Sequence, residues 1–269
     1  MVAWQLGDEV VAVAGDWHGN VRWVQRALPA LVRVAPHVRT MLHLGDFGIW
    51  PGRPPGFLGT VDYWCRRSGF ERILVTPGNH DDWDQLVTAF EAAPGEPVQL
   101  SEYVWALPRG YRFNIGGRTV MSFGGAASFD AAERIPGRTW WAAEMPTIAD
   151  VAAAIAPGAV DLLLTHDAPP ELADLVTTGE EMSPDARRYV AASAARIGEV
   201  WRSVSPAVLA HGHLHRQGTH HFPDRGVVYG LAADGSDGNL ALLRMRDLSW
   251  EWVRLTQTGT VSLVPDETH

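Results

Sequence analysis

"AVLAHGHLH", residues 207–215, opens with four apolar residues and then places His211, His213 and His215 at alternate positions. A short aliphatic run that stops at a polar, glycine-bearing segment reads as a strand buried on both faces and the loop that follows it. If the segment stays extended, the three imidazoles point to one face. Unrelated histidines so close would repel one another once protonated. A metal ion explains at least two of them, because neutral imidazole is the commonest metal ligand among side chains.

The same pattern occurs four more times. "VVAVAGDWH" begins with the run Val10–Ala14, "MLHLGD" with Met41–Leu44, "ILVTPGNH" with Ile73–Val75 and "LLLTHD" with Leu162–Leu164. Helical patterns lie between these runs. Val21, Val24, Leu28 and Leu31 recur at helical spacing after Asn20, an N-cap by its side chain, with Pro29 expected to kink or break that helix. Residues 60–68, 81–92, 147–156 and 184–203 are further helices. "PGRPPGFLG", 51–59, reads as a loop. Gly116-Gly117 between two runs marks a hairpin, and the C-terminal part alternates strands and turns. These elements predict an α/β fold of two packed sheets with helices outside, in one domain spanning residues 1–269.

Each polar segment sits at the C-terminal end of a buried strand, where α/β folds place their sites. The ligand-type residues there are Asp16, His18, Asp46, Asn79, His80, His166, His213 and His215. Oxygen and nitrogen donors without thiolate suit Mn, Fe or Zn rather than a structural thiolate site. Asp16 and His18, like His213 and His215, are spaced to share one side of an extended segment. Gly15, Gly45, Gly78 and Gly212 adjoin the ligands, where the backbone must approach closely. Without Asp16's companions the bland reading, capping of loops and helices, would suffice for any one of these residues; the ordered set of seven argues for two ions with Asp46 between them. His43 and His211 lie in or at the edge of apolar strands and read as hydrogen-bonded core histidines, while His220 and His221 read as loop or edge-strand residues.

In order along the chain, "GDWHG", "GD", "GNHD", "H" and "GHLH" resemble the calcineurin-like metallophosphoesterase family over residues 15–215. The resemblance implies a four-layer αββα sandwich of two mixed sheets and two divalent or mixed-valence ions. It places Asp16, His18, Asp46 and His215 on the first ion, Asp46, Asn79, His166 and His213 on the second, and His80 beside the substrate as the catalytic residue. It implies hydrolysis of a small phosphoester by direct attack of a metal-bridging hydroxide. A non-catalytic scaffold and a nuclease are the alternatives; the first normally goes with lost ligands, none of which is missing here.

Many members continue the second motif with Asp and Arg, whereas "GDFGIWPG" has neither, and Arg53 comes several residues later. A site poor in Arg favours a phosphodiester; a phosphomonoesterase acting on a nucleotide is the alternative. The irregular stretch 124–146 reads as a loop over the site, and Arg134 or Arg138 from it would restore monoester binding. Trp17, Trp50 and Trp83 lie close to ligands in sequence, and Trp50 or Trp83 is expected to meet a nucleobase unless they simply pack the core.

Composition narrows the partners. The 269 residues carry 22 basic and 31 acidic side chains, a net charge of −9, and show no basic stripe, which disfavours a nucleic-acid polymer. The single cysteine, Cys65, excludes an intrachain disulfide. There is no signal-peptide pattern and no run long enough to span a bilayer, so a soluble, cytoplasmic protein is expected.

Overall fold

A computed structural model describes residues 4–50, 56–175 and 182–266, with side chains from 173 to 175 excepted. In chain order the elements are β1 (Gln5–Leu6), β2 (Val10–Ala14), α1 (Val21–Val34), β3 (Thr40–His43), α2 (Gly56–Ser68), β4 (Arg72–Val75), α3 (Trp83–Ala92), β5 (Val98–Gln99), β6 (Val104–Ala106), β7 (Tyr111–Ile115) and β8 (Arg118–Phe123). Then follow α4 (Ile148–Ile155), β9 (Leu162–Thr165), α5 (Pro184–Val204), β10 (Val208–His211), β11 (Gly218–Phe222), β12 (Gly226–Gly230), β13 (Leu240–Arg244), β14 (Trp250–Leu255) and β15 (Val261–Pro265).

The strands form two mixed sheets. One has the order β15-β14-β13-β2-β3-β4-β6-β5, the other β1-β7-β8-β9-β10-β12-β11. β2, β3, β4 and β6 run parallel in the first, and β8, β9, β10 and β12 in the second. Alternate residues of the central strands face opposite cores. Val11 and Val13 of β2 join Leu164 and Ala210 in the core between the sheets. Ala12 and Ala14 instead pack with Trp23, Leu28 and Leu31 of α1 on one outer face. Leu163 and Leu209 pack with Ile197, Val200 and Trp201 of α5 on the other. The result is the α/β architecture of four layers, sheets inside and helices outside. No helix among the described residues is long and apolar enough to cross a membrane.

All five apolar runs are strands, the Gly116-Gly117 turn joins β7 to β8 with positive φ at both glycines, and His220 and His221 lie on edge strand β11. Asn20 caps α1, accepting the Trp23 N–H at 3.1 Å. Two expectations are corrected. α1 passes through Pro29 without a break; burial of Ala27, Leu28, Ala30 and Leu31 around it outweighs the backbone bond that proline removes, a cost of about 3 kcal/mol. The loop expected at 51–59 gives way to helix from Gly56, because Phe57 packs against Phe47 with ring centroids 5.1 Å apart. Residues 51–55, Arg53 among them, lie outside the described part.

Candidate metal centre

The C-terminal ends of β2, β3, β4, β9 and β10 meet where the two sheets' parallel strands stop, and every candidate ligand lies just past one of them. Neither alternate pair, Asp16 with His18 or His213 with His215, is held by an extended strand, however. β2 ends at Ala14 and β10 at His211, and the chain then turns sharply: His18, Asp46, His213 and His215 have φ of 44°, 49°, 62° and 52°. Left-handed backbone costs an L residue about 1–2 kcal/mol. Four of the six described non-glycine residues with positive φ are candidate ligands; strain gathered at one place in this way marks a functional site. The alternate spacing was informative, but the geometry behind it is a turn.

Asp46 stands between two groups of candidate ligands, two half-sites, of which the first brings four donors together at metal-ligand spacing. Donor atoms of Asp16, His18, Asp46 and His215 all lie within 4.8 Å of one another. Nε2 of His215 stands 2.9 Å from Asp16 Oδ2, and Nε2 of His18 stands 3.4 Å from Asp46 Oδ2. On the other side, His166 Nε2 is 3.4 Å from Asp46 Oδ1 and 2.9 Å from Asn79 Oδ1, and the His213 ring lies 5.0 Å from that of His166. Asp46 thus turns one oxygen towards each set.

The donor set fits divalent cations. Asp16 and Asp46 are 0 % and 1 % exposed, and among the described residues their counter-charges are imidazoles rather than Lys or Arg. Burial opposes a proton on His18 and on His166, yet the carboxylates raise both to about 10: Asp234 and Asp46 for His18, Asp46 and Asp16 for His166. Despite its own burial, Asp46 is held well below the carboxylate range, with His166 foremost. Without metal, protons occupy the place of positive charge; metal binding displaces such protons.

Side chains behind the donors fix their orientation, as is usual for metal ligands. His166 Nδ1 meets the Leu44 carbonyl at 2.6 Å, leaving Nε2 for the centre. His18 Nδ1 faces Asp234 at 3.4 Å. Asn79 donates its amide N–H to Ser128 Oγ at 2.9 Å, so its oxygen points inward. Ser128 donates in turn to Glu144 at 2.8 Å. Asp81 ties the β3 and β4 loops together by accepting backbone N–H groups of Gly48, Ile49 and Gly78 at 2.9–3.0 Å. Asp234, Ser128 and Glu144 escaped the sequence reading. The signal for Asp234 was the glycine-flanked "ADGSDGN", but its partner is 216 positions away.

Close packing makes two glycines obligatory. A Cβ on Gly78 would lie 2.2 Å from Asp46 Oδ1 and 2.8 Å from His166 Nε2; one on Gly212 would lie 2.2 Å from Asp16 Oδ1. Gly78→Ala should therefore lower metal content and destabilise the fold by about 1–3 kcal/mol. Gly59, in α2 with open space at its Cβ, is the control whose alanine variant should keep the metal. Elemental analysis and thermal unfolding of both variants check this, and full metal content in Gly78→Ala would refute the close-packing claim.

His80 stands apart from both half-sites, half-buried, with Nε2 3.9 Å from Asp46 Oδ2. The Arg134 guanidinium lies 2.8 and 3.1 Å from its two ring nitrogens and is itself held by Asp130 at 2.7 Å. Burial and, after the opposing pull of Asp46, the Arg134 charge lower the His80 pKa. The 124–146 segment does cross the site, stapled by Arg109, which donates to the Gly124, Ala143 and Glu144 carbonyls at 2.7–2.9 Å. Arg138 on that segment is exposed.

The tryptophans divide. Trp17 is 0 % exposed and bonds Asn239, and Trp83 is 2 % exposed, bonds the Gly78 carbonyl and carries Arg109 over its face. Both are packing residues, which corrects the expectation that Trp83 meets a base. Trp50 is partly exposed beside Gly19 and donates to the His80 carbonyl at 3.1 Å, so it stays next to the centre. His211 is buried with Nδ1 at 2.9 Å from the Gly212 carbonyl. His43 is buried without a hydrogen bond among the described residues, contrary to expectation; it is held edge-on by Trp17 and Phe47.

Residues 10–217 match the family model described as calcineurin-like phosphoesterase. No curated protein matches the chain. In fold the chain is similar to a protein of Thermus thermophilus, with a TM-score of 0.52, 12% identity and coverage of 96% of this chain and 98% of that one. It is similar to a dimetal phosphatase from Danio rerio, with a TM-score of 0.51, 10% identity and coverage of 90% and 94%. GAP50, the anchor in the inner membrane complex of Plasmodium, gives a TM-score of 0.51, 10% identity and coverage of 96% and 89%.

Proposed function

The chain belongs to the calcineurin-like phosphoesterase family, and on that footing we propose that it hydrolyses a small phosphoester, a phosphodiester or a nucleotide, with the help of two divalent ions. The observation that carries the reading is Asp46, buried and strained, with one oxygen towards each half-site. The fold alone does not decide activity: its neighbours include one protein named a phosphatase and another named an anchor. The convergence of Asp16, His18, Asp46, Asn79, His166, His213 and His215 favours the enzyme, since a scaffold has no need of it.

Bound ions of Mn, Fe or Zn would neutralise phosphoryl charge and activate a water for attack on phosphorus. The chain's own groups do the rest. Asp16, His18 and His215 hold one half-site, and Asn79, His166 and His213 the other. His80 faces the remaining side of the centre and acts on the leaving or equatorial oxygens. Trp50 and the 124–146 segment narrow the approach of water.

Arg134 favours a second reading. It sits where a phosphoryl group beside His80 would meet a cation, and so supplies the charge that "GDFGIWPG" lacks and a monoester dianion requires. The test is a screen of bis(p-nitrophenyl) phosphate and p-nitrophenyl phosphate with Mn, Fe, Zn and Mg. Hydrolysis of neither ester with any ion would overturn the proposal. In Arg134→Ala the ratio of diester to monoester kcat/KM should rise about tenfold or more, the loss of one charge-assisted hydrogen bond to the dianion. An unchanged ratio would remove Arg134 from the phosphate site.

A further inference from the structure

A cavity of about 420 Å³ opens between the 128–140 stretch and the first turns of α5. Two of its walls belong to the metal centre's supports. Ser128 lines it and accepts from Asn79, and Asp130 lines it and holds Arg134 on the His80 ring. Its size lies in the range of small-molecule pockets. A second cavity, of about 180 Å³, reaches His213 but falls below that range.

The larger cavity is a built site. Of its aromatic walls, Phe129, Trp140 and Tyr189, the last two spend their polar atoms on one buried carboxylate: Trp140 Nε1 and Tyr189 OH donate to Glu144 Oε1 at 3.0 and 3.2 Å. The same oxygen accepts the Ser128 backbone N–H at 2.7 Å, while Oε2 takes the Ser128 hydroxyl. Glu144, 0 % exposed, thereby pins the walls and, through Ser128, the orientation of Asn79. What the rings still offer a ligand is their faces. The charged groups on the lining are Asp130, Glu133 and Asp185, and no Lys or Arg is among the described lining residues. Asp130 is balanced by Arg134 and Asp185 by Arg188, leaving Glu133 as surplus negative charge among the described residues. Ring faces and carboxylates attract cations and repel anions.

We propose that this cavity receives the alcohol part of the substrate, and that it selects a neutral or cationic ring-bearing alcohol over an anionic one. The proposal rests on the phosphoesterase reading and names the substrate class for it: a phosphoester of a nucleoside-like or amine-bearing alcohol, rather than one carrying a further phosphate or carboxylate.

The experiment is calorimetric titration of the Mn-loaded protein with phenylphosphonate, 4-(aminomethyl)phenylphosphonate and 4-carboxyphenylphosphonate, none of which offers an ester bond to hydrolyse. The ammonium compound should bind about tenfold or more tighter than the carboxylate, with the neutral one between, and the gap should narrow as salt is raised. Glu133→Lys/Asp185→Lys should erase or invert the order. Glu91→Lys/Glu199→Lys makes the same change in net charge at exposed positions outside the cavity and should preserve it. Equal affinities in the unaltered protein, or an order that survives in Glu133→Lys/Asp185→Lys, would overturn the proposal. Inorganic phosphate is titrated in parallel. A protein that binds phosphate without discriminating the three compounds sinks the cavity assignment alone; a protein that binds neither phosphate nor any phosphonate sinks the phosphoesterase reading and the cavity with it.

Discussion

Asp46→Asn is expected to lower the metal content of Mn-loaded protein from about two ions per chain to one or none, and to remove hydrolysis with it. The substitution changes charge and little else. Asparagine has the size of aspartate and is among the residues that tolerate positive φ best, so the 49° backbone at this position survives. Its Oδ1 can still accept the His80 backbone N–H, a bond of 2.8 Å. What disappears is the anion between the half-sites: its two oxygens now stand 3.4 Å from His18 and from His166, and an amide can present only one oxygen. Removing an outer support of a metal ligand typically costs 10–100-fold in affinity; loss of a shared charged ligand should exceed about 100-fold. Elemental analysis beside a hydrolysis assay checks it. Two ions retained in the variant, or a single ion in the unaltered protein, would refute the bridging role.

The readable part of this site was the part with local causes. Each strand end is an aliphatic run cut off by glycine and a polar group, and burial on both faces leaves that signature in a handful of residues. Hence β2, β3, β4, β9 and β10 and the ligand types behind them could be read from the chain. The Asn20 cap and the Gly116-Gly117 turn are equally local. The supports are not. Ser128 and Glu144 lie 49 and 65 positions from Asn79, and Arg134 lies 54 from His80. "GGAASFDAAERIPG" reads as a loop over the site that carries Arg134, but nothing in it announces which residues Ser128, Arg134 and Glu144 meet, because those partners depend on how the segment folds back over the centre. Packing also overrode local rules where buried area was large: α1 ignores Pro29, and α2 starts among glycines because Phe57 finds Phe47. Trp83 shows the converse. Its place beside "GNHD" suggested contact with ligand, while its indole N–H and its ring face are both used up by Gly78 and Arg109.

His80→Ala should leave the metal in place and reduce turnover by roughly 10²–10⁴-fold, the range for a lost proton-transfer group. Metal should stay because the His80 side chain belongs to neither half-site; its nearest approach to Asp46 is 3.9 Å, while its backbone N–H, which alanine keeps, makes the 2.8 Å bond to Asp46. Turnover should fall because the ring is fixed on the centre's open side between the Arg134 guanidinium and Trp50, whose indole holds the His80 carbonyl. Two roles are separable by leaving group. If the imidazole protonates the departing oxygen, p-nitrophenyl esters, which need little protonation, should lose far less than alkyl esters. Arg134 and burial both disfavour a cationic ring, so the alternative is a neutral imidazole that donates a hydrogen bond to an equatorial oxygen. In that case the loss is equal for good and poor leaving groups. A double-mutant cycle with Arg134→Ala sharpens the reading. Groups that act as one unit give losses well short of additive. Strict additivity would make the arginine an independent phosphate contact. Loss of metal in His80→Ala would instead move this residue into the metal centre and overturn the assignment.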